Sequence, residues 1–191
     1  MRAGRPGALA RRTAGRRVET GRGGACPCNT RSARLVAVLV GLGAAAYTAW
    51  VLEVVLSTGL NPVETYVSEL AAQDQPLGGI FRATDFAAGL LVFTGGLLAL
   101  IRTARYADTR RPWAVAGRTG VTLFGAATAA EAWLPLSCAP TADPVCASRE
   151  TAGLVPATHQ AHAVSSSLAM AGALLGTRGC VPAPPVCSAG W

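Results

Sequence analysis

Residues 35–56 read LVAVLVGLGAAAYTAWVLEVVL, an apolar run interrupted by a single ionisable side chain, Glu53. Coiled as an α-helix the run extends about 33 Å at 1.5 Å per residue, enough to cross a hydrocarbon core of roughly 30 Å. It is longer than the ~7–15 residues of a secretory signal core and has no small-x-small exit behind it. A membrane-spanning helix over 35–57 is therefore expected, and it sets the fold class.

Three more apolar stretches follow, at 79–101, 114–136 and 157–176. Together the four specify an all-α, polytopic transmembrane bundle over 34–177, preceded by a disordered arm (1–33) and followed by a disordered tail (178–191). Composition agrees: 51% of residues are hydrophobic and 14% charged, against roughly 25% charged in a soluble domain. Mean hydropathy is +0.36.

The net charge of +7 is unevenly placed. Residues 1–34 hold nine Arg and one Glu, whereas the rest of the chain holds eight Arg against nine acids. A uniformly basic nucleic-acid binder is not indicated, and the arm reads as a topology determinant. The linker after the second stretch carries Arg102, Arg105, Arg110 and Arg111, while the linkers after the first and third are nearly free of Arg. This alternation places both termini in the cytoplasm and gives a multi-pass protein of the cell membrane. Trp113 and Trp133 fall near opposite ends of the third helix, where interfacial aromatics belong.

The first outer linker has a pattern of its own. Asn61-Pro62-Val63-Glu64 supplies an N-cap and a proline at the first helical position. Val63, Tyr66, Val67 and Leu70 recur at helical spacing with Glu64, Ser68 and Glu69 turned away. A short helix lying on the outer leaflet is expected, either as a lid or as a plain connector.

Depth along the helices brings ionisable residues into one layer. Glu53 lies about 6 Å inside the outer boundary, Asp85 about 9 Å with Arg82 one turn above, and Glu131 and His162 about 8 Å; His159 sits at the boundary. A charge within the bilayer costs about 2.5–3.5 kcal/mol even on the lenient insertion scale, so these groups should face one another. Two readings stay open: a polar site open to the outer face, or a packing cluster in which Arg82 pairs with Glu131 or Asp85. His159 and His162, three residues apart, share a helical face that Ser166 continues. With Asp85 or Glu131 opposite, they would supply three ligands for a zinc ion able to activate water, Asp85 being the carboxylate expected.

Six cysteines fall in three pairs. Cys138 and Cys146 share the second outer loop, an oxidising compartment, and are expected to form a disulfide. Cys26 with Cys28, and Cys180 with Cys187, lie on the cytoplasmic side and are expected to stay reduced. The sequence has no P-loop, dinucleotide fingerprint, nucleophile elbow or internal repeat.

Val67-Ser68-Glu69-Leu70, Asp85, and the stretch from Cys138 through Asp143 and Cys146 to His159-Gln-Ala-His162 carry a family likeness. Over 34–176 the chain resembles domain-of-unknown-function family nine-nine-eight, a family of actinobacterial multi-pass membrane proteins. The resemblance implies the membrane topology and, since members look like six-helix proteins, a chain truncated after its fourth helix, as a changed reading frame after about Leu175 would produce. Helices one to four would then be prone to self-association. The Ser, Asp and paired-His set is also faintly similar to hydrolases of the alkaline ceramidase kind, which use three His where this chain offers two.

Two functions are expected from different classes. One is a non-enzymatic membrane protein that binds or senses a lipid or small solute through the outer polar layer, without a cofactor. The other is a zinc-dependent hydrolase acting on lipid at the outer leaflet. The topology itself is directly measurable. Reporter fusions after Gln75 and after Pro140 should report export and a fusion at Ala107 should not; export at Ala107 overturns the orientation.

Overall fold

In the computed structural model, residues 30–56, 58–105 and 112–179 are described. The apolar runs form helices because intrahelical hydrogen bonding satisfies their backbone groups without help from the side chains. The helices are α1 (Thr30–Tyr47), α2 (Gly78–Arg105), α3 (Pro112–Trp133), α4 (Pro144–Thr151) and α5 (Ala157–Gly179). No strand occurs among the described residues. Arg31–Val54 and Gly78–Arg105 are long and apolar enough to cross a membrane. Helices α3 and α5, with 22 and 23 residues, reach about 33 Å or more at 1.5 Å per residue.

Several boundaries differ from the sequence expectation, each for a local reason. The first helix begins at Thr30, inside the expected arm, and its last turns, Thr48–Val54, tighten to a 3-10 helix. Helix α3 stops at Trp133 rather than 136, because Pro135 lacks an N–H and biases Leu134 away from helical geometry. The expected helix on the outer leaflet is a single turn, with the Glu64 and Thr65 amides on the Asn61 carbonyl, followed by a five-residue 3-10 helix, Val67–Ala71. Val63 is 89% exposed while Leu70 is buried, and Glu69, expected to turn away, is 0% exposed. Helix α4 was not anticipated. Its signal is Asp143-Pro144: the Asp143 side chain accepts from the Val145 N–H at 2.9 Å, with proline in the first turn. The remainder of the arm, Arg110 and Arg111, Cys26, Cys28, Cys180, Cys187 and the end of the tail lie outside the described residues.

The long helices form a row in chain order, α1 on α2, α2 on α3 and α3 on α5. Glycine sets the spacing. A Cβ on Gly125 would come within 3 Å of the Phe93 backbone and lie 2.9 Å from the Gly89 carbonyl oxygen, so α2 and α3 meet backbone to backbone. Between α3 and α5, a Cβ on Gly172 would lie 2.6 Å from the Phe124 nitrogen and 2.8 Å from the Gly120 carbonyl. Small residues allow this approach, and dispersion then acts over a large contact.

Segments 55–77 and 134–156 close one end of the row. They are stitched together: the Gln73 N–H donates to the Leu136 carbonyl at 2.9 Å and the Ala139 N–H to Asp74 Oδ2 at 3.3 Å. Glu69 accepts from the Thr141 N–H at 3.2 Å and from the Thr141 hydroxyl. Cys138 and Cys146 form a disulfide across a Cα separation of 6.0 Å. Leu70, Ala71 and Phe81, flanked by Leu60 and Leu77, seal this end with apolar contact.

Helix spacing is the property most exposed to test. Gly125→Val should destabilise the bundle by about 1–3 kcal/mol or more through overpacking. Gly41→Val, at a position with nothing within 4 Å of a Cβ, should change stability by no more than about 0.5 kcal/mol. Thermal unfolding in detergent compares the two.

Candidate functional site

At the stitched end of the row lies a cavity of ≈ 490 Å³. Its walls come from all four long helices and from the 3-10 segment. Helix α1 contributes Tyr47 at its last position, α2 Asp85, α3 Phe124 and Glu131, and α5 His162, Ser166 and Met170; Val67 and Ser68 border it from the loop. Asp85, Glu131 and Tyr47, from three different helices, border the same cavity. Ser166 borders the cavity together with Glu131. The Tyr47 ring meets Phe124 edge-on at 5.4 Å, linking α1 to α3 beside the cavity that both residues line. Of the layer expected from the sequence, Asp85, Glu131 and His162 are therefore brought together.

The other members are employed elsewhere. Arg82 pairs with neither carboxylate; its Nη1 donates to the Ala71 carbonyl at 2.9 Å and to Ala72 at 3.3 Å, at the end of the 3-10 segment. The reason lies in backbone accounting, since carbonyls that terminate a helical segment inside the protein require donors. Glu53 accepts from the Thr58 hydroxyl at 3.3 Å and does not border the cavity. Arg118, at the opposite end, donates to the Thr103 hydroxyl.

The two histidines share a helical face yet do different work. His159 is 1% exposed, and its Nδ1 accepts from the Ser137 N–H at 3.1 Å, with the Ser137 hydroxyl at 2.9 Å. An N–H can only donate, so the proton of this ring sits on Nε2, which faces Glu150 Oε1 at 3.6 Å. His162 has its Nδ1 2.8 Å from the Leu134 carbonyl. A carbonyl can only accept, so Nδ1 carries the proton and Nε2 presents a lone pair. That Nε2 is buried and has no hydrogen-bond partner among the described residues. The rings thus hold opposite tautomers, and both fix the chain that leaves α3.

This arrangement separates the expected zinc ligands. His159 is committed to Ser137 and Glu150, and only His162 of the pair borders the cavity. Among the described residues no group of three or more His, Cys, Asp or Glu could hold a metal ion. Sequence reasoning missed Tyr47 and Phe124 as cavity residues, because an aromatic ring on an apolar helix carries no signal of the side it faces, and it placed Tyr66 only on the outer connector. It also missed the inward turn of Glu69, whose only signal is a partner 72 residues away.

The model of a family described as protein of unknown function (DUF998) matches residues 30–181, a range that takes in every described helix. No curated protein and no solved structure matches the chain.

The Glu69 contact should be costly to lose. Glu69→Ala leaves the Thr141 N–H and hydroxyl without their acceptor, and a lost hydrogen bond to a charged group costs roughly 1.5–3 kcal/mol. Thermal unfolding should fall accordingly, and proteolytic cleavage between Cys138 and Cys146 should accelerate. Unchanged stability would remove Glu69 as the latch between the two segments.

Proposed function

The chain belongs to the DUF998 family of unknown function, and on that premise we propose that it is a multi-pass protein of the cell membrane that binds a lipid or small amphiphilic solute in the cavity at its outer end. One observation carries the reading: Asp85, Glu131 and His162 line a common cavity inside an otherwise apolar helical row. Placing three such groups together is unfavourable unless something is gained by it, and intramembrane ionisable residues mark ligand pathways by default. The volume of ≈ 490 Å³ falls within the roughly 300–1,000 Å³ of small-molecule sites.

Topology supports the same reading. Long apolar side chains such as Leu35, Leu90, Leu168 and Leu174 are exposed along the helices, as a lipid-facing surface requires. Trp113 and Trp133, at opposite ends of α3, are 67% and 74% exposed. Arg102 and Arg105 stand at the end of α2 away from the cavity, the cytoplasmic end by the positive-inside rule. The cavity then opens toward the outer leaflet. A zinc-dependent hydrolase has less support, because His159 is turned from Asp85 and His162 toward the loop backbone.

Photo-crosslinking tests the proposal. A lipid bearing a photoreactive group near its headgroup, reconstituted with the full chain, should label cavity residues such as Ala169 and Phe124. Ala173→Phe, which narrows the cavity, should reduce that labelling severalfold without loss of monodispersity. Labelling confined to outward residues such as Val164 and Leu174 would overturn it.

A further inference from the structure

The cavity is rich in acceptors and short of charge to balance them. Asp85 and Glu131 both border it, and neither is ion-paired among the described residues. The basic side chain nearest in sequence, Arg82, spends its donors on the Ala71 and Ala72 carbonyls. Arg118 is at the far end of α3, on Thr103. His162 supplies an independent observation: the residue is 5% exposed and borders the cavity, its Nδ1 is anchored on Leu134, and its Nε2, an acceptor in the neutral ring, is buried with no partner among the described residues. A buried acceptor without a donor is costly unless a ligand supplies one.

We propose that the cavity recognises a primary ammonium group, carried by an amphiphile whose apolar portion lies against Phe124 and Met170. A protonated primary amine has three N–H donors and no acceptor. Asp85, Glu131 and the Nε2 of His162 are three acceptors on three different helices. A quaternary ammonium has no N–H to offer, and a hydroxyl offers one donor and no charge, so both satisfy the set less well. An anionic headgroup would be repelled by the two carboxylates. The inference rests on the proposed cavity-binding reading and specifies the ligand class for it. The ammonium could belong to a phospholipid headgroup or to a free long-chain amine, which share this chemistry.

Native mass spectrometry of the full chain in detergent, with octylamine, octyltrimethylammonium and octanol as probes, tests the proposal. Octylamine should be retained saturably and the other two roughly tenfold more weakly or less. Asp85→Asn and Glu131→Gln should each weaken octylamine retention by roughly tenfold to a hundredfold, the range for losing a hydrogen bond to a charged group. Glu131→Asp should restore much of it, which separates a charge requirement from damage to the fold. In nanodiscs, phosphatidylethanolamine competing with octylamine identifies the headgroup as the source, and failure to compete identifies a free amine. Octanol retained as well as octylamine, with both carboxamide variants unaffected, would sink the ammonium assignment while leaving a ligand cavity. If no octyl probe binds and lipid photo-crosslinks map only outside the bundle, both readings fall.

Discussion

A helix that stops inside a protein leaves backbone carbonyls and amides that must be met by something. At the stitched end of this molecule, ionisable side chains meet them. Arg82 supplies the donors for Ala71 and Ala72, His162 the donor for Leu134, and His159 the acceptor for Ser137. Glu69 and Asp74 take the amides of Thr141 and Ala139. Five ionisable side chains, three of them (Arg82, His159 and His162) from the layer expected on the sequence, thus serve chiefly as partners of interrupted backbone. With those assigned, Asp85, Glu131 and the second nitrogen of His162 are left over, and they border one cavity.

The sequence is legible where a single chemistry dominates. Long apolar runs with few charges admit one local solution, and α1, α2, α3 and α5 arise there. Depth along those helices is legible too, since a rise of about 1.5 Å per residue brings Asp85, Glu131 and His162 to one level. Direction is not legible. Whether Arg82 turns to a carboxylate or to a carbonyl depends on where segment 67–72 comes to rest, and that depends on contacts as remote as Thr141. The outer linker shows the same limit. Its helical spacing of apolar residues gives way to a 3-10 turn that buries Leu70 and leaves the buried Glu69 hydrogen-bonded to Thr141. Two misses were avoidable: Pro135 as the stop of α3, and Asp143-Pro144 as the start of α4.

Family membership covers the described helices without supplying an activity, so function has to be argued from the cavity. Zinc hydrolysis looked reasonable when the two histidines were only a spacing of three. Their tautomers divide them, one accepting from an amide and the other donating to a carbonyl. Equal spacing did not mean equal orientation of the ring nitrogens.

The row arrangement also bears on how the molecule comes to be built. Each long helix packs on the one made before it, α2 on α1, α3 on α2 and α5 on α3. Assembly can therefore keep pace with synthesis, each arriving helix finding its partner already in place, as chains of low contact order do. The loop contacts run on a different clock. Glu69 has no partner until Thr141, 72 residues later, has been made. The last walls of the cavity, from His162 to Ala173, are later still. During synthesis the nascent protein holds two carboxylates, Asp85 and then Glu131, before the histidine that borders the same cavity exists, so the cavity is among the last parts of the bundle to be closed.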